Sequence, residues 1–232
     1  MKGKLYGIGT GPGDPELLTL KAINTIERCS VIAVPKTSGD SEKVAFTIVE
    51  KYVAGKELHE CHFSMIRDLE ERKKARLLAA DGIIKYLDEG KDVAFVTLGD
   101  PTTYSTYMYM HEIIAGKGYE TEIVPGITSF AASAAALGIS LCEGDETLII
   151  IPASQNDRID ELLKEEGNKV IMKSGRDLAG VLEKLKELGY GDKTKIACEV
   201  TMENQRLFNS IEEYEKAQEG GYFTLVIVKE KV

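Results

Sequence analysis

The sequence predicts an α/β protein folded into two lobes, and three observations support this class. Short segments rich in β-branched and aromatic residues alternate with helical segments in the first half of the chain, which is typical of a mostly parallel sheet flanked by helices. After a helix of small residues at 126–138, a second series of strand-like segments begins. The chain has 232 residues, 43% of them hydrophobic, which is enough for two cores.

The first lobe is predicted to contain five strands joined by helices. Each strand segment is short, apolar and rich in residues that favour an extended backbone. The predicted strands are 4–9, 30–35, 57–63, 92–97 and 120–124. Apolar residues recur at three- and four-residue spacing in 14–29 and 72–90, which predicts helices there, and Gly90 is suited to end the second of them.

The second lobe is predicted to contain five more strands. They are 147–152, 169–173, 193–200, 204–208 and 222–229. No linker rich in Pro or Ser separates the two lobes, so the turn at Pro125–Gly126 is the best boundary. We therefore expect lobes at 1–125 and 126–232.

Composition argues against several classes of protein. A net charge of −9 without a basic block disfavours a nucleic-acid partner. The beginning of the chain lacks the apolar core of a signal peptide, and no apolar stretch reaches the roughly 18 residues of a membrane span, so we expect a cytoplasmic protein. The four cysteines stand singly with no CxxC pattern, which favours reduced, mostly buried thiols.

The segment "LHECHF" contains three side chains that could bind a metal. In an extended strand His59 and Cys61 share one face, whereas His62 points to the other. The three therefore do not converge, and we expect no metal site.

The segment "GIGTGPGDPELLTLKA", residues 7–22, resembles a nucleotide-binding loop at first sight. A dinucleotide fingerprint needs a third glycine at its sixth position, where this sequence has Pro12 or Asp14, depending on the first glycine chosen. A phosphate loop needs Lys followed by Ser or Thr, which is also absent. Because Pro12 lacks an N–H group, the segment predicts a tight turn whose ligand is not a pyrophosphate.

Two similar turns follow later strands, at 98–101 and 124–129. Taken alone, the first is an ordinary Asp-Pro turn or a ribose site at Asp100, and the second is tight helix packing or a close ligand approach. Ligands of open α/β sheets collect at the carboxyl ends of strands. Three such turns on one predicted sheet therefore favour a shared cleft.

Together, "GIGTGPGDPELLTLKA", "LGDPTTYSTY" and "VPGITSFAASAAALG" resemble the tetrapyrrole methylases, in the same order and spacing. The later segments "VIMKSGR", "CEVTMENQRLF" and "GYFTLVIV" extend the resemblance over essentially the whole chain. The resemblance implies two α/β lobes with S-adenosylmethionine in the cleft between them, a homodimer, and a tetrapyrrole substrate. Within the family the motifs are most similar to those of enzymes that methylate C20 of precorrin-2 or cobalt-precorrin-2 in cobalamin biosynthesis. Ser64 departs from the family pattern, which has Pro there.

The resemblance also implies a set of site residues. The cofactor contacts would be Pro12, Leu98, Gly99, Asp100, Thr103, Thr128, Ser129, Met172 or Lys173, Val200, Phe223 and Thr224, with Asp100 on the ribose. The weak candidates for a catalytic base are Asp100, Tyr104 and Tyr107, which follow the same strand. The candidate cations for a polycarboxylate substrate are Lys36, Arg67, Lys173, Arg176 and Arg206.

Other interpretations stay open at the level of sequence. The same fold could methylate another tetrapyrrole carbon, a diphthamide precursor or RNA, although the negative charge disfavours RNA. A non-catalytic module that binds adenosine is a third possibility. The segment "TYSTYMYMHEII" is expected to present Tyr104, Tyr107, Met108 and His111 as a wide face for a second subunit.

Overall fold

The computed structural model describes residues 1–36, 41–63, 68–153, 158–174, 177–217 and 223–230. The chain divides into two compact units, Met1–Thr128 and Ser129–Val232. Each unit contains its own sheet of five strands. The predicted class, two α/β lobes, is confirmed.

The first unit is built on a parallel sheet with the strand order β3-β2-β4-β1-β5. Its strands are β1 (Leu5–Gly9), β2 (Val31–Lys36), β3 (Glu57–His62), β4 (Val93–Thr97) and β5 (Thr121–Val124). Its helices are α1 (Leu20–Arg28), α2 (Ser41–Val49), α3 (Leu69–Asp88) and α4 (Tyr107–Gly116), with short 3-10 turns at Pro15–Leu17 and Glu50–Tyr52. The central strands β1 and β4 are wholly buried, as expected for a parallel sheet covered on both faces.

The helices of the first unit cover both faces of this sheet. Ile26 of α1 packs with Ile8 and Ile32 on one face, whereas Met110 of α4 packs with Phe95 on the other. The helices that follow the neighbouring strands β1 and β4 therefore lie on opposite faces. A crevice at the carboxyl ends of such a strand pair is where open α/β sheets bind ligands.

The second unit has a mixed sheet with the strand order β6-β7-β10-β8-β9. Its strands are β6 (Leu148–Pro152), β7 (Asn168–Met172), β8 (Thr194–Cys198), β9 (Arg206–Phe208) and β10 (Thr224–Val228). Its helices are α5 (Ser129–Leu137), α6 (Ile159–Leu162), α7 (Leu178–Glu187) and α8 (Ile211–Ala217). Among the strands of this unit that the structure describes, β6 and β7 pair in parallel, and β10 runs antiparallel to both of its neighbours. The expectation of a mostly parallel sheet therefore holds in the first unit only.

The core of the second unit also has two layers. Helices α7 and α8 pack on one face through residues such as Leu185 and Ile211, and Ala134 of α5 packs on the other against Leu225 and Ile227. The small residues of α5 allow this close approach to the sheet.

The first predicted helix is interrupted. Leu18 and Thr19 have extended backbones, and the Thr19 hydroxyl accepts a hydrogen bond from the N–H of Ala22 at 3.1 Å, which starts α1 after the 3-10 turn.

Three of the four cysteines are buried and all are free thiols. Burial raises the pKa of Cys29 and of Cys61 to about 12, so both thiols stay protonated at neutral pH.

The described part of the chain has no group of three or more His, Cys, Asp or Glu residues placed to hold a metal ion. His59 lies over Gly82 and meets the ring of Tyr86 edge-on, with 5.3 Å between the ring centroids. Among the described helices, none has both the length and the apolar character that crossing a membrane requires.

Candidate functional site

Three turns lie side by side at the carboxyl edge of the first sheet, because β4, β1 and β5 are neighbours. The turns after β1 and β4 are bonded directly. The Gly11 N–H donates to the Gly99 carbonyl at 3.2 Å, and the Gly99 N–H donates to the Gly11 carbonyl at 2.7 Å. The predicted convergence of the three turns is therefore present.

The backbones of Gly9, Gly99 and Gly126 lie close together, with no room for a side chain at Gly9 or Gly126, and we call these three residues the glycine cluster. A Cβ atom on Gly9 would lie 2.6 Å from the Gly126 nitrogen. A Cβ atom on Gly126 would overlap the Gly99 carbonyl oxygen. Gly99 itself has φ +72°, a conformation that side chains disfavour. Glycine is thus required sterically at two of these positions and conformationally at the third.

Asp100 joins the second turn to the third. Its side chain is buried, with a relative exposure of 8% for the residue. Oδ1 accepts hydrogen bonds from the N–H of Thr102 at 2.8 Å and from the Thr102 hydroxyl. Oδ2 accepts a hydrogen bond from the N–H of Gly126 at 2.9 Å. The carboxylate is therefore engaged through both oxygens within the protein.

The hydroxyl groups of Thr10, Thr97 and Ser105 form hydrogen bonds at the same edge. The Thr10 hydroxyl donates to the Thr97 carbonyl at 3.2 Å. The hydroxyls of Thr97 and Ser105 are 2.9 Å apart, and Ser105 accepts from the N–H of Tyr107 at 3.2 Å. These bonds satisfy polar groups that burial would otherwise penalise.

The donors of this edge do not suit a phosphate. The N–H groups of Gly11, Gly99, Thr102 and Gly126 all donate within the protein, and Pro12 has no N–H. Anion sites at such loops depend on N–H groups that point at the ligand. These four N–H groups are therefore not available to bind a phosphate.

Tyr107 is not available for catalysis. Its side chain is fully buried, and its hydroxyl donates to the carbonyl of Glu122 at 3.1 Å. A Cβ atom on Gly7 would overlap the Tyr107 ring, so the ring packs directly against β1. The interpretations of Tyr107 as a base and as part of an exposed aromatic face are wrong, because the residue fills the core.

Tyr104 differs from Tyr107 in exposure. It is 42% exposed and has φ +52°, which is uncommon for an aromatic residue. Partial burial raises the pKa of the Tyr104 phenol, so the group keeps its proton at neutral pH. Of the three candidate bases, Tyr104 presents the most accessible side chain.

In the second unit, five candidate contacts gather at one edge of the sheet. Because β10 runs antiparallel to β7 and β8, its first residues lie beside the last residues of those strands. The Glu199 N–H donates to the Phe223 carbonyl at 2.9 Å, and Thr224 pairs with Cys198. The residues collected there are Met172, Lys173, Val200, Phe223 and Thr224.

Strained backbone marks this same edge. Lys173, Glu199 and Thr201 have φ values of +54°, +48° and +63°, directly after β7 and β8. Left-handed conformations in residues other than glycine are costly and collect at functional sites. Sequence reasoning missed Glu199 and Thr201, since glycine is the residue by which a left-handed turn is normally recognised.

The remaining predicted contacts lie along the chain as follows. Pro12 is buried in the turn after β1, and Leu98 and Thr103 flank Asp100 in the turn after β4. Thr128 is the last residue of the first unit, and Ser129 is the first residue of α5 in the second.

The five predicted cations do not share one location in the molecule. Lys36 forms an exposed ion pair with Glu60 at 2.6 Å. Arg67 and Arg176 lie outside the described residues, as does Ser64. Arg206 and Lys173 belong to the second unit.

The structure adds one cation, Arg76 of α3, whose guanidinium carbon lies 3.4 Å from the centroid of the Tyr109 ring on α4. In the part of the chain that is described, no carboxylate forms an ion pair with Arg76. The sequence does not show this contact, because the partner ring lies on a different helix.

Comparison with known proteins extends these observations. Residues 4–215 match the model of the family Tetrapyrrole (Corrin/Porphyrin) Methylases. The chain is 37% identical over 229 residues to a probable cobalt-precorrin-2 C(20)-methyltransferase of Methanocaldococcus jannaschii, covering 97% of this chain and 96% of the relative. It is 28% identical to the cobalt-precorrin-2 C(20)-methyltransferase of Salmonella typhimurium, covering 100% and 98%.

Solved structures of the same fold are also found. A cobalt precorrin-4 methyltransferase superimposes with a TM-score of 0.76 at 23% identity, covering 97% of this chain and 94% of that one. A uroporphyrin-III C-methyltransferase from Thermus thermophilus, complexed with S-adenosyl homocysteine, gives a TM-score of 0.71 at 21% identity and covers 98% of both chains.

Proposed function

The chain belongs to the tetrapyrrole methylase family, and on that premise we propose that it transfers the methyl group of S-adenosylmethionine to C20 of precorrin-2 or cobalt-precorrin-2 in cobalamin biosynthesis. The observation that carries this proposal is the match over nearly the whole chain to relatives that bear this name, at up to 37% identity. The donors of the first unit support it, because the cofactor has no phosphate and four N–H groups of the edge are already bonded within the protein.

The cofactor contacts are proposed at the two edges described above. In the first unit they are Pro12, Leu98, Gly99, Asp100, Thr103 and Thr128. In the second unit they are Ser129, Met172 or Lys173, Val200, Phe223 and Thr224. Most of these residues offer backbone atoms or apolar surface, which suits an adenosine and the methylene groups next to the sulfur.

S-adenosylmethionine, when bound, would supply a methyl group on a positively charged sulfur: the carbon–sulfur bond would break as the methyl carbon bonds to C20, leaving S-adenosylhomocysteine, and C20 would lose its proton after the transfer. The protein's task is to hold the two reactants in line and to exclude water from the reacting atoms. The Asp100 oxygens are engaged and Tyr104 is protonated at neutral pH, so we propose that the proton passes to solvent.

The substrate carries several carboxylates, and the chain has a net charge of −9, so local cations are needed. We propose Arg76 as one of them. Its guanidinium carbon lies over the Tyr109 ring, and α3 and α4 both begin at the carboxyl edge of the first sheet. A guanidinium fixed in this way loses little freedom when it binds a carboxylate.

A homodimer in the cytoplasm completes the proposal. The family resemblance supports the dimer, whereas the aromatic face invoked from sequence does not, since Tyr107 is buried. Light scattering of the purified chain at micromolar concentration should give twice the mass of 25.5 kDa. A mass equal to one chain would contradict the dimer.

The proposed reaction is tested with S-adenosylmethionine carrying a ¹³C-labelled methyl group. The protein is incubated with this donor and reduced sirohydrochlorin, with and without cobalt. Mass spectrometry should show one added methyl group, and carbon NMR should place it on C20. A label on another ring carbon would refute the assignment, and the two arms show which form of the ring is accepted.

A further inference from the structure

We infer that Asp100 is a positioning residue of the cofactor site: its carboxylate clamps the turn after β5 to the turn after β4, and does not itself bind the ribose hydroxyls. The inference rests on the proposed function in one respect, the placing of the cofactor at this edge. It reverses the role that sequence reasoning gives to Asp100.

The Asp100 carboxylate can accept only a limited number of hydrogen bonds. An ionised carboxylate has about four lone-pair sites for hydrogen bonds. Three donors from the protein already use them: the N–H and hydroxyl of Thr102, and the N–H of Gly126. Two ribose hydroxyls need two further sites on a residue that is only 8% exposed. The carboxylate cannot serve both sets of donors at once.

The hydrogen bond from the Gly126 N–H to the Asp100 carboxylate joins the turn after β5 to the turn after β4. The Gly126 backbone is in close contact with Gly9 and Gly99, so a side chain at position 126 has no room. The Asp100 carboxylate gives this N–H a charge-assisted partner at 2.9 Å. Loss of that acceptor leaves a donor without its partner, a change that costs more than the bond contributed. The turn that carries Thr128 would then move away from the turn after β4.

A clamp and a ribose ligand at position 100 predict different effects of Asp100→Asn. Asparagine has one acceptor oxygen and one NH₂ donor, so it can keep an acceptor for the N–H of Thr102 or for the N–H of Gly126, but not for both. As a clamp, Asp100→Asn should therefore fail nearly as fully as Asp100→Ala. As a ribose ligand, Asp100→Asn would keep one acceptor and one donor for the hydroxyls and would fall between the parent and Asp100→Ala.

A matched control exists in the same sheet. Asp92 precedes β4, and its Oδ1 accepts a hydrogen bond from the N–H of Lys4 at 2.8 Å. It therefore also ties two neighbouring segments through a backbone N–H, but at the amino edge. Asp92→Asn removes the same charge while keeping an acceptor for the Lys4 N–H, and it should leave the carboxyl edge unchanged.

The clamp is tested first without any ligand. Amide hydrogen exchange by NMR should show Gly126 protected in the parent and in Asp92→Asn, and exchanging at least tenfold faster in Asp100→Asn and Asp100→Ala. Rapid exchange of Gly126 in the parent would overturn the clamp without the need for any variant. Asp100→Asn, which has the same shape as the parent residue, carries the comparison if Asp100→Ala does not fold.

The second test uses calorimetry with S-adenosylhomocysteine and its 2′,3′-dideoxy analogue. The clamp predicts that Asp100→Asn weakens both ligands by a similar factor, about tenfold. A loss confined to the ligand with hydroxyls would instead make Asp100 a ribose ligand. If the parent binds neither ligand, the placing of the cofactor fails, whereas the exchange result still decides the clamp.

Discussion

Individual glycines set the spacing of the cofactor edge, and Gly126 is the most demanding. A methyl group on Gly126 would overlap the Gly99 carbonyl and press on Gly9. Forced overpacking of this kind typically costs about 1–3 kcal/mol. Gly126→Ala should therefore lower the free energy of unfolding by about that amount, and calorimetry should show affinity for S-adenosylhomocysteine reduced at least tenfold.

Gly116 provides the control. It is the last residue of α4, and a Cβ atom there would meet no atom within 4 Å. Gly116→Ala should raise stability slightly, by up to about 1 kcal/mol, because alanine favours a helix. Equal losses in the two variants would show that the glycine cluster is not special.

The two tyrosines after β4 should behave in opposite ways. Tyr107→Phe removes a buried hydroxyl that donates to the Glu122 carbonyl, so the free energy of unfolding should fall by about 1 kcal/mol while kcat is unchanged. Tyr104→Phe should leave stability unchanged, and kcat should remain within about threefold if solvent takes the proton. A loss of kcat of a hundredfold or more in Tyr104→Phe would identify it as the missing proton acceptor.

At the scale of elements, the Glu122 carboxylate links β5 to α1 and to the segment before β1. Glu122 of β5 forms ion pairs with Lys21 of α1 at 2.6 Å and with Lys4, just before β1, at 2.9 Å. Hydrogen bonds from Lys21 and then Lys4 lower the pKa of Glu122 from 4.5 to about 2. The unfolded chain therefore binds a proton at higher pH than the folded chain does. The contribution of Glu122 is full above pH 4.5 and is lost as the pH falls toward 2.

Urea unfolding of the parent and of Glu122→Gln between pH 2 and pH 6 checks this dependence. The parent should have a higher free energy of unfolding than Glu122→Gln at pH 6, and this difference between the two proteins should vanish near pH 2. Glu112→Gln, on the exposed surface of α4, should show no such trend. A difference that stays constant across the whole range would mean that packing, not charge, is responsible.

The contact between α3 and α4 carries a prediction about the substrate. Arg76→Met keeps an unbranched side chain on the Tyr109 ring but removes the charge. The KM for the tetrapyrrole should rise about five- to tenfold, and the affinity for S-adenosylhomocysteine should not change. Lys85→Met, in the last turn of the same helix, is the matched control. If both variants raise KM equally, the effect comes from net charge and not from Arg76.

At the scale of the whole molecule, the strands were predictable and some of their contacts were not. The sequence pattern identified the ten strands found in the described residues, and parallel pairing explains why the turns after β1, β4 and β5 meet. The bond from Asp100 to Gly126 spans 26 residues, so no local pattern shows it. The burial of Tyr107 depends on the space that Gly7 leaves, which is again a contact between distant segments.

The position of β10 leads to a further prediction. This strand lies between β7 and β8 and pairs with both, so it is the centre of the second sheet. A chain that ends at residue 222 should keep the first unit folded and lose the second, as seen by hydrogen exchange with mass spectrometry. A chain that lacks only residues 231–232 should exchange like the parent. Continued protection of β7 and β8 in the shorter chain would contradict the central role of β10.

The same strand order bears on how the protein is made. A ribosome completes all five strands of the first sheet before residue 128, so that unit can fold while synthesis continues. The second sheet must wait for β10, and until then β7 and β8 expose backbone edges that can pair with other nascent chains. Slow translation over the last quarter of the message should therefore increase aggregation and dependence on chaperones, with the second unit as the vulnerable part.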